Sequence, residues 1–244
     1  VGFNKEILTN TSFGVRGSTG TVNWMVFEGT SRSGRKLNIG LQPNAGSGDQ
    51  ISIKAADLGS LLRFANIYSR VTTGSGSAEL VRTSSNAPYV GAVRANNITI
   101  ENEPKLRQLV NSRAGGERSL NESLKKELPT ERFEFTEMIS EVVAGNNSLK
   151  LNRGSIRGPV VGSTFKGTVY DENNYMSIQG VFLPAYEVNN LVSALPIIGQ
   201  ILGNAGAGGF LGITWRLRGQ FTDPKTEINP ISLFTPGVFR EIFN

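Results

Sequence analysis

Apolar and polar residues alternate over much of this chain, which is the pattern of β-strands that turn one face away from water. In residues 36–42, Leu37, Ile39 and Leu41 fall on one side, and residues 50–55 repeat the pattern. Clusters of Gly, Ser and Asn separate such segments and are typical of turns. The pattern predicts antiparallel or meandering strands with one dry face.

The alternation is clearest in the second half, where it predicts strands at 148–152, 164–170, 175–182 and 211–217, with a turn at 171–174. The apolar members of these strands form one candidate surface: Leu149, Leu151, Phe165, Val169, Met176, Ile178, Phe182, Leu211, Ile213, Trp215 and Leu217. A sandwich whose two sheets close on each other would give the same pattern. The residues therefore predict either a packed core or the lining of an open groove.

Shorter stretches predict helices. Asp57 is placed as the N-cap of a helix over 58–68, which the Gly- and Ser-rich residues 72–77 break. A second short helix is expected over 103–111, with a proline in its first turn. Residues 133–142 are expected to form a strand that passes into a short helix.

No residue between Val188 and Trp215 carries a charge, although 18% of the chain is charged. Apolar residues recur there at helical spacing over 186–202, and Pro196 divides the segment into two short helices. Interruptions by Asn, Pro and Gly disfavour a membrane span. A helix pair at 185–203 that caps the sheet and a lipid or partner contact both stay open. The contact would use Leu191, Leu195, Ile198, Ile201, Leu202, Phe234 and Phe239.

The length and composition favour a single β-rich domain. The 244 residues suffice for a buried core, and 29 glycines indicate many turns. We expect one domain over 1–244, with leading strands in 1–50. The mixed-charge residues 112–132 are expected to form a solvated helix or loop, and an adaptor surface is the alternative. The predicted fold is mainly β with a few short helices: a curved, largely antiparallel β-sheet that forms an apolar groove and is capped by helices. Because the chain starts at Val1 without a signal peptide or apolar anchor, we expect it to be a piece of a longer protein.

The sequence lacks histidine and cysteine, which excludes Ser-His-Asp and Cys-His catalysis, thiolate zinc sites and disulfides. The glycines at 203–212 do not match a dinucleotide fingerprint, because they follow a helix and precede a strand. No pair of carboxylates is forced onto one strand face at a useful spacing. We therefore expect a protein that is not an enzyme and that needs no cofactor or metal.

The net charge of +5 is modest, and the basic residues are spread along the chain rather than clustered with aromatic residues. This pattern gives only weak support for nucleic-acid binding, and we expect no nucleic-acid partner. An anionic membrane surface would respond to the same charge, but the sequence gives no localised signal for it.

Several motifs carry a resemblance to a known family. They are Ala-Asp-Leu-Gly-Ser-Leu-Leu-Arg at 56–63, Gly-Pro-Val-Val-Gly at 158–162, the segment 180–190, Trp-Arg-Leu-Arg-Gly at 215–219, and the segment 229–240. Together they resemble the C-terminal region of the AsmA-like envelope proteins, closest to the YhdP type. The resemblance covers roughly residues 50 to 244, and no motif matches within 112–132.

The resemblance implies a periplasmic domain of a longer envelope protein that is anchored in the inner membrane. Such proteins are similar to bridge-like lipid transporters, in which a long sheet curls into a trough between two membranes and phospholipid acyl chains lie along it. The implied partners are phospholipid and a membrane surface or envelope proteins.

The sequence leaves two functions open. The first is a lipid-binding module that holds acyl chains along an apolar β-groove. The second is a structural or docking domain that contacts envelope proteins or a membrane through the segment 186–202 and the C-terminal residues.

Overall fold

The computed structural model of the chain is mainly β and describes residues 2–4, 6–44, 48–111, 131–145, 147–159, 161–184 and 210–234. The strands are β1 Gly2–Phe3, β2 Glu6–Ile7, β3 Thr9–Ser18, β4 Thr21–Thr30, β5 Lys36–Pro43, β6 Asp49–Ala55, β7 Val71–Arg82, β8 Tyr89–Glu101, β9 Arg132–Gly145, β10 Ser148–Arg157, β11 Val161–Tyr170, β12 Tyr175–Pro184, β13 Phe210–Gln220 and β14 Lys225–Phe234. The helices are α1 Leu58–Phe64 and α2 Pro104–Asn111.

The sheet is a single antiparallel meander. Strands β3 to β14 form a 12-stranded sheet in which each strand pairs with the one before it, while β1 and β2 form a separate hairpin. The sheet stays open, with β3 and β14 as the two edges of its described part. The prediction of a mainly β, antiparallel fold with a few short helices is confirmed.

Helix α1 begins where the sequence predicts and ends earlier. The Asp57 carboxylate accepts a hydrogen bond of 2.9 Å from the Ser60 N–H, which identifies it as the N-cap. The helix ends at Phe64 rather than at residue 68, because Asn66 takes the left-handed conformation with φ of 55°. Asparagine adopts that conformation more readily than other residues with a side chain, so it ends the helix.

The sequence predicts that the glycine-rich residues 72–77 break the chain after α1. In the structure they lie inside strand β7. A Cβ on Gly76 would stand 2.9 Å from Cδ1 of Leu58 in α1. Gly74 has φ of 128° at a register shift against β8. The glycines thus allow a helix to pack closely on the strand and a bulge to form within it.

The prediction of a short helix within 133–142 is wrong, because Arg132–Gly145 is one continuous strand. Phe133 and Phe135 belong to a buried cluster that Met138 also contacts, while Thr136 and Glu137 are both exposed. The alternation slips by one residue at this exposed pair. The slip gives the apolar residues a spacing that imitates a helix.

The chain's own packing seals one end of the apolar face, which we call the sealed end. Its larger buried cluster consists of Val71, Ala95, Ile98, Phe133, Phe135, Val161 and Phe182, and its smaller one of Leu8, Leu37 and Ala55. Leu58 and Leu62 of α1 and Leu106 of α2 pack on the larger cluster, and Phe64 of α1 packs on the smaller one. Both helices therefore cover the apolar face at this end.

One hydrogen bond demonstrates that the sheet is strongly coiled. Lys105 Nζ in α2, which follows β8, donates to the Pro224 carbonyl in the β13–β14 turn at 2.9 Å. In a flat sheet β8 and β13 would lie about 24 Å apart, with α2 and that turn at opposite ends of strands roughly 33 Å long. The sheet must bend to bring them together. Because the neighbouring Leu106 packs on the apolar face, that face is on the inside of the bend.

Several predicted segments lie outside the described residues. These are the helix pair at 185–203, with Leu191, Leu195, Ile198, Ile201 and Leu202, most of the charged segment 112–132, and Phe239. Neither helix in the described part of the chain is long and apolar enough to cross a bilayer.

Candidate functional site

The strand register brings apolar residues from all twelve strands of the sheet into continuous lines. Residues that are directly paired across antiparallel strands place their side chains on the same face. The first line, called row I, follows direct pairs from β3 to β14. It contains Val15, Met25, Leu41, Ile51, Leu80, Gly91, Val142, Leu151, Gly167, Ile178, Leu217 and Thr226.

A second line, called row II, runs beside row I on the same face. It contains Phe13, Phe27, Ile39, Ile53, Ala78, Val93, Ser140, Gly154, Phe165, Gly180, Trp215 and Ile228. Neither row contains a charged residue. The polar exception in row II, Ser140, is 2% exposed and donates its hydroxyl to the Arg153 carbonyl at 3.0 Å. Its polar group is therefore already satisfied.

A third line, row III, runs through the sealed end. It contains Leu37, Ala55, Gly76, Ala95, Met138, Ile156, Ser163 and Phe182. Leu37, Ala55, Ala95 and Phe182 are buried here. The face is thus closed along row III by the protein itself.

Row I is more open than row III. In row I, Leu41, Ile51, Leu151, Ile178 and Leu217 are half-buried, and neither buried cluster includes them. Leu80 and Val142 are the buried members of the same row. Most of the row therefore keeps apolar surface in contact with solvent.

At the β3 edge the two rows end in exposed residues. Phe13 is 65% exposed and Val15 is 51% exposed. Both lie on the same face as their row partners in β4. The apolar face therefore extends to the border of the sheet.

Aromatic rings in row II lie over glycines on the adjacent strands. A Cβ on Gly154 would meet the Phe165 ring at 2.1 Å, and one on Gly180 would meet the Trp215 indole at 2.5 Å. The indole is held by a hydrogen bond of 3.0 Å from Nε1 to the Ser163 hydroxyl. The rings therefore lie close against the neighbouring backbone, and we call the surface that they form the floor of row II.

A polar cleft of about 720 Å³ lies beside α1, between the β1–β2 hairpin and the β4–β5 turn. Glu6 accepts hydrogen bonds from Arg63 at 2.7 Å and from Ser60 at 3.0 Å. Tyr68 donates to Glu103 at 2.6 Å, and burial together with this carboxylate raises the pKa of the phenol. Both carboxylates are held by neighbours of the same chain, which favours a structural role over proton transfer.

A second charged cluster joins strands β6, β7 and β8. Burial alone would raise the pKa of Asp49, but hydrogen bonds from Arg82 and Tyr89 outweigh it and lower this pKa below its ordinary value. Burial and the Asp49 carboxylate raise the pKa of Tyr89 to about 12. Arg82 binds Asp49 through two nitrogens, at 2.8 and 2.5 Å. The cluster fastens neighbouring strands together.

The register places eight of the eleven predicted lining residues on the face of rows I to III: Leu149, Leu151, Phe165, Met176, Ile178, Phe182, Trp215 and Leu217. Met176 and Phe182 are buried, at 8% and 3% exposed, and the other six are half-buried. The half-buried members are the ones available to a ligand.

The three remaining predicted lining residues are placed differently. Val169 falls at a register shift between β10 and β11, two residues after Gly167, whose φ is 140°. The backbone of Ile213 pairs with Phe182, and that of Leu211 pairs with Leu233. Of the predicted contact residues, Phe234 pairs with Phe210 at the end of β14, and the others lie outside the described residues.

The candidate surface predicted from the sequence lies in the second half of the chain alone. The structure adds the first half, through Met25, Leu41, Ile51 and Leu80 in row I. The alternation at 36–42 and 50–55 contained this signal. It could not be joined to the second half without the register, which connects residues far apart in sequence.

No protein-family model, curated protein or solved structure matches this chain.

Proposed function

We propose that rows I and II form a groove that binds lipid acyl chains. Two observations carry the proposal. Rows I and II cross the whole sheet without a charged residue, and most of row I is half-buried. Motifs that resemble AsmA-like envelope proteins point to the same function. The chain would then act as a lipid-binding module of a bridge-like phospholipid transporter, and not as an enzyme.

The energetics of acyl chains favour a continuous apolar path. Each buried CH₂ is worth about 0.8 kcal/mol, so every gap in apolar contact has a cost. A charged side chain in the path would itself lose hydration beside an acyl chain. Rows without charge avoid both costs.

The length of the rows is sufficient for an acyl chain. Eleven spacings between the twelve strands extend about 53 Å along the sheet. The tails of one bilayer leaflet occupy about 15 Å, half of the roughly 30 Å hydrocarbon core. Tails could therefore lie along the rows, across the strands, with room for more than one lipid.

The bent sheet adds depth. The contact between Lys105 and Pro224 bends it towards the apolar face, so the rows lie on the inner side. The rings of Phe165 and Trp215 lie over glycines and keep the floor low. We infer that the bend and the rings close to the backbone together leave room for an acyl chain along the rows.

The experiment is binding of a fluorescent fatty acid, kept below its micellar concentration, to the full chain after delipidation. Leu41→Glu and Ile178→Glu should each weaken binding about tenfold or more, because each puts a carboxylate into row I. Gln42→Glu is the matched control. It lies next to Leu41 on β5, is exposed on the opposite face, and changes the charge equally.

Circular dichroism and thermal melting verify that each variant is folded. An absence of binding by the unaltered chain would refute the proposal. Equal binding by Leu41→Glu, Ile178→Glu and the control would also refute it. In either case a structural role for the apolar face would remain.

A further inference from the structure

Five cations lie together on the polar face of strands β10–β14, in two neighbouring rows. The first row runs through direct pairs: Lys150, Thr168, Ser177, Arg218 and Lys225. The second runs through Lys166, Gln179, Arg216 and Glu227. We call the cations of these rows the basic patch: Lys150, Lys166, Arg216, Arg218 and Lys225.

The charges of the basic patch are available to an external anion. All five side chains are exposed, and within the described part of the chain none forms a salt bridge or a hydrogen bond. Glu227 pairs with Arg216 in the strand register, yet no salt bridge joins them. Unpaired cations on a common face sum to a positive field that attracts anions.

The polar face of strands β4–β8 provides a comparison within the molecule. It carries Lys36, Lys54 and Arg94 against Glu28 and Glu79. Positive and negative charges nearly balance there. In the two rows of the basic patch, five cations stand against one carboxylate, that of Glu227. The asymmetry belongs to one half of the sheet.

A shallow depression of about 450 Å³ lies within the basic patch. Lys150 and Lys166 border it, and Thr168, Ser177 and Gln179 line it. Ammonium groups beside hydroxyl and amide donors suit the oxygens of a phosphate group. The shape and the donor set therefore match a phosphate-bearing headgroup.

An exposed aromatic residue borders the basic patch. Tyr175 is 41% exposed and precedes Ser177 on the same face of β12. Tyrosine is enriched at the headgroup level of membranes, where its ring is apolar and its hydroxyl is hydrated. This position fits contact with a bilayer surface.

We propose that the basic patch docks this domain onto an anionic phospholipid bilayer, with headgroup phosphates between Lys150 and Lys166. The patch extends about 19 Å across five strands and lies on a sheet face, which suits an extended lipid surface. Single-stranded nucleic acid would instead be expected to require aromatic side chains interleaved among the cations. The patch lies on the face opposite rows I and II, so the proposal does not depend on the proposed function.

The test is flotation of the full chain with vesicles of phosphatidylcholine alone or with one-third phosphatidylglycerol. Anionic vesicles should carry the protein and neutral ones should not, and added salt should weaken the binding. Each neutralised cation should lower the affinity about fivefold, so Lys166→Gln with Arg216→Gln should lower it about 25-fold. The matched control, Lys54→Gln with Arg94→Gln, removes the same charge from the same face of β6 and β8 and should bind within about twofold of the unaltered chain.

Three results would overturn the docking proposal: equal binding to neutral and anionic vesicles, equal losses in the two double variants, and tighter binding to duplex DNA than to anionic vesicles. Inorganic phosphate separates a headgroup surface from a free-phosphate site. If millimolar phosphate displaces the protein from vesicles at constant ionic strength, the site binds the free ion and the docking proposal fails. All substituted residues are exposed, so circular dichroism should show unaltered folding.

Discussion

Row III and row I lie on the same face of the same strands, yet only one of them is closed. Leu37 and Ala55 in row III are 1% and 3% exposed beneath α1, whereas Leu41 and Ile51, four residues away on the same strands, are half-buried. All four residues are apolar. What differs is the element above them, a helix at the sealed end and none among the described residues over row I.

Apolar alternation thus predicts a face that avoids water, but it does not predict which element covers that face. A helix of seven residues is enough to turn one line of the face into a core. Row I, on the same face, stays half-buried over most of its length. Substitutions in the two regions should therefore have different consequences.

The largest expected effect is at the sealed end. Phe133→Ala should lower the free energy of unfolding by about 3–5 kcal/mol, because its ring is 1% exposed and its removal leaves a cavity. Phe165→Ala in row II should cost about 1–2 kcal/mol, since that ring is half-buried. Urea unfolding followed by circular dichroism measures both. Equal losses would mean that the two regions are packed alike.

The floor of row II gives the next effect. Gly154→Ala should destabilise by about 1–3 kcal/mol, because the three atoms nearest to the new Cβ all belong to the Phe165 ring, the closest at 2.1 Å. The same change made in the Phe165→Ala background should be nearly neutral. A double-mutant cycle measures this coupling, and additive losses would contradict the contact.

The cover over row III can be loosened without a change in the sheet. Asp57→Ala removes the N-cap of α1 and should cost about 1 kcal/mol. It should also increase the binding of a hydrophobic dye as the helix frays above Leu37 and Ala55. Asp57→Ser keeps a capping oxygen and should restore most of the loss. An unchanged dye signal in the alanine variant would show that α1 does not control access.

The smallest effect is acid sensitivity. Burial alone would raise the pKa of Asp57, but hydrogen bonds from Ser33 and the Ser60 N–H outweigh it and hold this pKa below its ordinary value. The pKa of Asp49 is lowered as well. Each of these carboxyl groups has a lower pKa in the folded than in the unfolded protein, so each stabilises the fold above the unfolded value of 3.8. That stabilisation is lost as the pH falls through the folded pKa.

Melting temperatures measured from pH 6 down to about pH 3 check this sign. Asp49→Asn should flatten the decline at acid pH, because it removes one of the two titrating groups. A variant that declines as steeply as the unaltered chain would contradict the role of Asp49.

Most of the strands were predictable from the sequence, because a dry face leaves a period of two wherever a strand is regular. The prediction failed where regularity fails. At Thr136 and Glu137 the period slips, and the strand was mistaken for a helix. At 72–77 glycines that allow close packing beneath Leu58 were mistaken for a break.

The candidate surface was only partly predictable. The second half of rows I and II was found from alternation, but the first half was not joined to it. The basic patch was missed, because Lys150, Lys166, Arg216 and Lys225 are separated by long stretches of chain and appear scattered. Only the pairing of strands brings them together.

By itself the sequence determined which residues alternate, most of the segments that become strands and that no histidine or cysteine chemistry is possible, because these follow from local periodicity and composition. The tertiary structure decided which apolar line is closed, which stays open and where the positive charge gathers. These depend on register and on the placement of α1, which are set by contacts between residues distant in the chain and leave no local signature.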